Sequence, residues 1–389
     1  MSTKHLTYLD SLRGLAALTV VFGHYFLTYD FVHTGRIAVC LFFILSGFVL
    51  SQRFLGTAGM KWLIIEAVIK RPFRLLGVVW VTVILGTIIS ICVQGADISS
   101  FACRTWTQYT LDFFISPFAT GAEFNVVLWT ISWELWGSML VFGTVYCCGM
   151  LPKYLRMVIF IILLTINIHN FYCAFIIGVI IADLHKNFHA PMLIAYRNLI
   201  ALPLFIGGIL VGGYFLKEGS DPVMLQFISN GGRMISALLI FISVMLDTKL
   251  FRPCLNWSPI NLLGNISYSL YAIHFLLMKT IVETIDTVLN RYLQHDAALC
   301  GTMLITLPMI VFAAWIIDKY VDKSGIRLAA KIAQWAVSII TLEIAMRGSK
   351  LKLIVVFRFP LTLLRILFSS KRRYSNLING AMQLCMVRR

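Results

Sequence analysis

Charged residues are scarce in this sequence. Only 13% of its 389 residues are Asp, Glu, Lys or Arg, whereas about a quarter is usual in soluble domains. Hydrophobic residues make up 59% of the chain, and the mean hydropathy is +0.85. This composition excludes an ordinary soluble domain and a disordered chain, since both need far more polar side chains.

Acidic residues and metal-binding patterns are also rare. The 33 Lys and Arg outnumber the 17 Asp and Glu, which gives a formal net charge of +16. The 9 cysteines form no C-x-x-C pair and have no metal-ligand spacing with His, so we expect no metal site. The sequence also has no internal repeat and no polar stretch long enough to form a soluble domain between its apolar runs.

Apolar runs recur along the chain at lengths of about 17 to 25 residues, which is typical of a helical membrane protein. We predict an all-α, polytopic fold with about ten transmembrane helices. Their predicted ranges are 11–29, 36–55, 73–93, 125–149, 155–168, 170–186, 199–216, 233–249, 265–289 and 298–318. The pair at 155–168 and 170–186 is short for a membrane crossing.

Basic residues are concentrated in alternate linkers between these helices. The second linker, for example, carries Arg53, Lys61, Lys70, Arg71 and Arg74. The intervening loops are poorer in basic residues and richer in acid. Because Lys and Arg accumulate in cytoplasmic loops, we predict that the even-numbered loops and both termini are cytoplasmic.

The first apolar stretch, YLDSLRGLAALTVVFGHYF at residues 8–26, carries two candidate functional side chains. Arg13 lies near its start, and His24 follows eleven residues later. Eleven helical residues return to nearly the same face after about 16.5 Å of rise, so the two side chains share a face. A membrane-embedded His normally faces the protein interior or a water-filled cavity. His24 is therefore either a buried His bonded to a backbone carbonyl or a functional imidazole.

Two further motifs each have a structural and a functional interpretation. In LFFILSGFVL at 41–50, Ser46 and Gly47 either allow close helix packing or leave room for a ligand. In KRPFRLLGVVW at 70–80, Arg71 and Arg74 lie one helical turn apart. They are either basic residues flanking a span or a pair that suits phosphate recognition.

Glu134 lies within the predicted fourth helix, in LWTISWELWGSMLVF. A carboxylate inside a membrane is costly and normally has a function and a partner. We expect His24 to be that partner, with the acid orienting and charging the imidazole. The alternative is a protonated Glu134 that bonds a neighbouring helix.

A polar stripe runs along the predicted ninth helix, in LLGNISYSLYAIHF. Tyr268, Tyr271 and His274 recur every three residues and so lie on one side of this helix. Tyrosines near a membrane boundary are often interfacial, but His274 lies deeper in the span.

Together these segments resemble the acyltransferase-3 family of integral membrane proteins over about residues 8–331. The similar motifs are R-x10-H within YLDSLRGLAAL, F-F-x-x-S-G-F, R-x-x-R, W-T-I-S-W-E and G-x-I-S-Y-S-L-Y-x-x-H. Cys40 stands where many members carry an acid, and Ser324 stands where a proline is common. In the fourth motif, Trp129 and Glu134 are one residue closer together than the family pattern leads us to expect.

The resemblance implies a membrane O-acyltransferase of the bacterial cytoplasmic membrane. Such a protein would move an acyl group, expected to be acetyl from the donor acetyl-coenzyme A, to a hydroxyl of a surface glycan such as lipopolysaccharide. The implied catalytic residues are His24, as general base or transient acyl carrier, and Glu134. The implied donor-binding residues are Arg13, Arg71 and Arg74, and the implied acceptor-side residues are Ser46, Trp129, Tyr268, Tyr271 and His274.

Two other classes of protein remain open on the sequence alone. A transporter or flippase would also bury His and Glu, but it should contain inverted repeats and broken helices. A membrane assembly factor would account for the basic C-terminal part, but it has no need for Arg13 and His24 on one face.

The C-terminal segment at 332–389 is predicted to be a basic, hydrophobic tail outside the 8–331 domain. From Gly325 to Arg389 there are twelve Lys or Arg and one acid, Glu343. Basic and apolar residues alternate, which favours attachment to anionic lipids of the inner leaflet. We therefore expect membrane lipids as partners of this cytoplasmic tail, and no nucleic acid.

Overall fold

The structure is a computed structural model that describes residues 7–26, 32–55, 61–93, 125–187, 191–216, 223–246 and 250–347. Every regular element in these ranges is helical, so the all-α prediction is confirmed. The α-helices are α1 (Thr7–Tyr25), α2 (Val32–Gln52), α3 (Lys61–Val93), α4 (Trp129–Cys148), α5 (Lys153–Ile166), α6 (Tyr172–Asn187), α7 (Pro191–Leu216), α8 (Val223–Met245), α9 (Arg252–Leu255), α10 (Ser258–Leu277), α11 (Glu283–Leu289), α12 (His295–Ile317) and α13 (Lys323–Arg347).

Two π-helical segments join consecutive helices without a loop. The first, Met278–Val282, connects α10 to α11, so the predicted helix at 265–289 consists of three segments. The second, Asp318–Asp322, connects α12 to α13. π-Helical segments are rare and are often found at functional sites.

The end of the predicted domain at residue 331 falls within α13, so one helix continues across that boundary. In the sequence, the charged residues of the second π segment suggest the end of a membrane-spanning helix. The helix nevertheless continues, because α13 packs against α3. Ala329 and Ala333 are buried, and Gly325 lies beside Gly77 of α3. The remaining tail, 348–389, lies outside the described residues.

The start of α3 also differs from the predicted range of 73–93. The helix begins at Lys61 and contains Pro72 in its interior. A proline usually marks a helix start or a break, but here the helix continues through it. Pairing with α13 supports the additional basic turns that precede Pro72.

Helices α1 and α10 are in close backbone contact. Gly14 and Gly264 face each other, and a Cβ at Gly264 would lie 2.5 Å from the Asp10 carbonyl oxygen. Ser11 Oγ also donates a 2.6 Å hydrogen bond to Asn261 Oδ1. The helices are parallel, because their later residues His24 and His274 meet as well.

Helix α2 lies at the centre of the larger hydrophobic core. Phe43, Ile44 and Phe48 are fully buried among residues of α4, α6 and α8. Gly47 faces the backbone of Phe175 on α6 without room for a side chain. Gly47 therefore allows close packing of α2 against α6, which is one of the two roles predicted for the S-G-F motif.

The outer surface of the bundle is largely apolar. By length and composition alone, the described residues contain two stretches able to cross a bilayer, Thr34–Gln52 and His295–Thr341. Other helices also expose large apolar side chains, which soluble monomers rarely do over large areas. Examples are Leu199, Ile209 and Leu210 on α7 and Leu304 and Phe312 on α12.

The short pair predicted at 155–168 and 170–186 is short in the structure too. Helix α5 has 14 residues and α6 has 16, compared with the roughly 20 that cross a bilayer. The total of about ten crossings therefore stays a prediction.

Substituting Gly264 with Ala tests the contact between α1 and α10. The added methyl group meets the α1 backbone, which cannot move aside as a flexible side chain would, so we expect a loss of about 1–3 kcal/mol in stability. Gly143→Ala on α4 is the matched control, since nothing lies within 4 Å of its Cβ position. Thermal denaturation in detergent should separate the variants, and equal stability would contradict the tight contact.

Candidate active site

One end of the site is a group of three arginines, Arg13, Arg71 and Arg74, here called the arginine cluster. Arg13 comes from the N-terminal part of α1, and the other two come from the middle of α3. The three guanidinium groups are close enough to repel one another electrostatically. The structure thus brings together the three residues predicted to bind the donor.

The members of the arginine cluster differ in what compensates their charge. Arg71 is 9% exposed and forms an ion pair with Glu134 on α4. Its Nε also donates a 2.9 Å hydrogen bond to Ser138 Oγ, and Ser46 Oγ donates one of 2.7 Å to Glu134 Oε1. These bonds connect α2, α3 and α4 through one mostly buried pair of charges.

The position of Glu134 corrects the predicted pairing with His24. The carboxylate contacts Arg71 and Ser46, and it also interacts electrostatically with Arg13. Arg13 and His24 are separated by about 16.5 Å of rise along α1. Glu134 therefore belongs to the arginine end of the site. Its position relative to His24 is set by packing between helices.

The other two arginines are more accessible than Arg71. Arg13 forms a 3.1 Å ion pair with Asp10, one turn earlier on α1, and both side chains are partly exposed. Arg74 is exposed and forms no ion pair with the described part of the chain. It is therefore the cation of the cluster that is most open to an anionic ligand.

The other end of the site is a pair of imidazoles. The ring centroids of His24 and His274 lie 5.2 Å apart, and Phe275 packs edge-on against His24 at 5.3 Å. His274 is fully buried, whereas His24 is partly exposed. The two polar helix faces predicted separately for α1 and α10 thus meet at this level.

The two tyrosines of α10 bond to the backbone of neighbouring helices. Tyr268 donates a 2.7 Å hydrogen bond to the Leu75 carbonyl oxygen of α3. Tyr271 donates to the carbonyl oxygen of Val127 at 3.1 Å and accepts from Thr130 Oγ1 at 2.9 Å. Both hydroxyls hold helices together, so neither is oriented by this geometry towards an acceptor.

Trp129 and Ser46, also predicted to contact the acceptor, have contacts within the protein. The Trp129 ring packs against Phe171 at a centroid distance of 5.4 Å, which places it in the larger core. Ser46 is 9% exposed and bonds Glu134. Among the described residues, neither forms a hydrogen bond or ring contact with His24 or His274.

Two carboxylates near the arginine cluster were missed in the sequence. Asp318 and Asp322 lie in the second π segment and are 2% and 6% exposed. Asp322 interacts electrostatically with Arg74 and Tyr268, whereas Lys323 pairs with Asp318 at 2.6 Å. The sequence signal that could have identified them is a pair of acids four residues apart at the end of an apolar run.

The two ends together can bind an anion at one place and move a proton at another. The guanidinium groups suit phosphate or carboxylate, with Arg74 the most accessible. An imidazole is the side chain best suited to accept and return a proton near neutral pH. A helical bundle with an apolar surface around such a site is typical of a membrane enzyme with an anionic substrate.

Comparison with known families identifies the class of enzyme. A family model described as an acyltransferase domain, Acyl_transf_3, matches residues 6–318. The chain therefore belongs to the acyltransferase-3 family, and it is an acyltransferase of a membrane-bound type. No curated protein and no solved structure matches the chain significantly.

Removing Glu134 should destabilise the protein by leaving the Arg71 charge buried without its partner. We expect Glu134→Ala to cost about 3–5 kcal/mol in free energy of unfolding. Glu66→Ala is the matched control, because its ion pair with Lys70 lies within one helix and is more exposed. That control should lose about 0–1 kcal/mol.

Denaturant unfolding in mild detergent measures both losses. The double variant Arg71→Met with Glu134→Leu should recover much of the stability, because it removes both charges together. Equal losses for Glu134→Ala and Glu66→Ala would contradict a buried ion pair at this position.

Proposed function

We propose that this protein transfers an acyl group, most simply acetyl, from cytosolic acyl-coenzyme A to a hydroxyl group of a cell-surface or exported glycan. The observation that carries the proposal is the helix pair α1 and α10, with the arginine cluster at one end and the imidazole pair at the other. An acyl-coenzyme A has the same division, with phosphates at one end of a long arm and the thioester at the other.

The arginine cluster would hold the phosphates of the donor. Arg74 is exposed and forms no ion pair among the described residues, so it would contribute the largest share of the attraction. Arg13 would assist from α1 by releasing part of its contact with Asp10. Arg71 would act mainly through its pair with Glu134, which fixes the α3 face that presents Arg74.

The arm of the donor would extend along α1 towards His24. The distance from Arg13 to His24 along the helix axis is about 16.5 Å. The thioester carbonyl would then lie beside the accessible imidazole, while the phosphates stay at the arginines. Asp322 would offer a buried carboxylate oxygen near Arg74 for an O–H or N–H group of the donor.

At the imidazole pair, His24 would act as the general base. Its unprotonated nitrogen takes the proton of the acceptor hydroxyl as that oxygen attacks the thioester carbonyl. The carbon–sulfur bond then breaks, and the leaving thiolate takes the proton back from the imidazolium. A second route, in which His24 carries the acyl group before the acceptor arrives, uses the same position.

The membrane would separate the two substrates. The distribution of Lys and Arg supports a cytosolic location for the arginine cluster and for both termini. His24 would then lie towards the opposite side, where a lipid-linked or exported sugar is available as acceptor. A location in the bacterial cytoplasmic membrane agrees with this arrangement.

Arg74→Ala should weaken binding of acetyl-coenzyme A without changing use of the acceptor. Loss of a charge-assisted phosphate contact is worth about 1.5–3 kcal/mol, or roughly tenfold to a hundredfold in affinity. Arg327→Ala on α13 is a suitable control, because this arginine is exposed and donates hydrogen bonds to Lys323 and Ser324 of its own helix. Calorimetry in detergent measures the donor affinity of both variants. Equal affinities would contradict the donor site.

His24→Ala should abolish acyl transfer but keep donor binding. The variant loses the group that accepts the proton, whereas the arginine cluster stays intact. His295→Ala replaces an exposed histidine at the start of α12 and should keep full turnover. Transfer of labelled acetyl by the purified variants decides the matter, and wild-type turnover without His24 would refute its role.

A further inference from the structure

We propose that His274 is a positioning residue whose Nε2 accepts a hydrogen bond from the ring N–H of His24. This bond would fix the tautomer of His24 and leave its other nitrogen unprotonated for the acceptor hydroxyl. The inference deepens the proposed function and rests on it. It also assigns to His274 a role different from the acceptor contact predicted from the sequence.

The tautomer of His274 follows from its backbone contacts. Nδ1 lies 2.7 Å from the Tyr271 carbonyl oxygen and 3.2 Å from that of Leu270. Carbonyl oxygens can only accept hydrogen bonds, so Nδ1 must carry the proton in both contacts. In a neutral imidazole the other nitrogen then has a lone pair and acts as an acceptor. Nε2 of His274 is that acceptor.

This acceptor is buried and lacks a partner in the described part of the protein. His274 is 0% exposed, and no hydrogen bond reaches its Nε2 from any described residue. Buried polar atoms are nearly always hydrogen-bonded, because desolvating them otherwise destabilises the fold. An unsatisfied acceptor inside a candidate active site therefore calls for a donor that is present in the working state.

His24 is the polar side chain in place to supply that donor. Its ring is tilted by 46° to that of His274, at a centroid separation of 5.2 Å. Tyr271 also lies near His274, at 5.7 Å between ring centroids, but its hydroxyl already donates to Val127. Phe275 on the other side of His24 has no polar atom to offer.

A modest movement would complete the bond between the two rings. Rotation of an imidazole about χ2 is soft, because this torsion has a broad energy minimum. His24 is also partly exposed and so has room to turn, whereas the two backbone contacts of Nδ1 hold His274 in place. His274 is thus the fixed member of the pair, and His24 is the member that adjusts.

A neutral partner suits this position better than the acid predicted from the sequence. A base oriented by a third group is a common arrangement in enzymes, and the third group is often a carboxylate. A carboxylate next to His24 would have to be buried deep in the bundle, at a large desolvation cost. The neutral imidazole of His274 orients His24 without burying a charge.

Two amide substitutions at position 274 separate this role from a purely structural one. A Gln side chain places its amide where Nε2 was, so His274→Gln keeps an acceptor for His24 and loses the bond to Tyr271. An Asn side chain reaches only to the Nδ1 position, so His274→Asn keeps the bond to Tyr271 and loses the acceptor. The proposal predicts that Gln substitutes better for His274 than Asn does.

The first measurement is steady-state acetyl transfer by the purified full-length variants. We expect kcat of His274→Asn to be at least about tenfold below that of His274→Gln, as for a disturbed general base. KM for acetyl-coenzyme A should be the same in both, because the arginine cluster is unchanged. A structural role would give the reverse order, and equal kcat values for Gln and Asn would overturn the proposal.

The second measurement is the rate at which diethylpyrocarbonate modifies His24, followed by mass spectrometry. A hydrogen bond to His274 makes the free nitrogen of His24 more nucleophilic, so wild type and His274→Gln should react faster than His274→Asn. Equal rates in the two variants would overturn the pairing. This readout needs no acyl donor, so it still tests the pair if wild-type protein transfers no acetyl and the proposed function fails.

Discussion

The close approach of α1 and α10 at Gly14 and Gly264 sets the geometry of the whole site. Two parallel helices that touch at one level advance together, by about 1.5 Å per residue. Ten residues beyond the glycine contact, His24 therefore meets His274 at a ring separation of 5.2 Å. A side chain at either glycine would separate the two backbones, and His24 and His274 would then no longer lie side by side.

The buried pair of Arg71 and Glu134 complements this contact at the other end. It joins α3 to α4, and Ser46 adds α2 through its bond to the same carboxylate. Because burying one of these charges alone is costly, the pair also specifies which faces of the helices meet. The neighbouring Arg74 is left exposed as a result, so the charge that stabilises the bundle and the charge that would attract a ligand belong to different residues.

The sequence predicted what depends on a single helix and missed what depends on contacts between helices. The shared face of Arg13 and His24 follows from helical periodicity, and the R-x10-H, R-x-x-R and late tyrosine motifs indicated the family that the acyltransferase match confirms. The partner of Glu134 could not be predicted, since its depth relative to other helices has no local signal. The extent of α13 likewise depends on a neighbouring helix, because α13 packs against α3.

The π segment at Asp318–Asp322 determines how the rest of the chain is turned. A wide turn of this kind holds one residue more than an α-helical turn, and each helical residue corresponds to about 100° of rotation. If this turn tightened to a regular α-helix without losing a residue, Ala329 and Ala333 would swing away from α3 by about that angle, whereas deleting one residue would restore a regular helix with the same face towards α3. The extra residue of the wide turn is therefore absorbed between α12 and α13, and the packing of α13 on α3 depends on this turn staying wide.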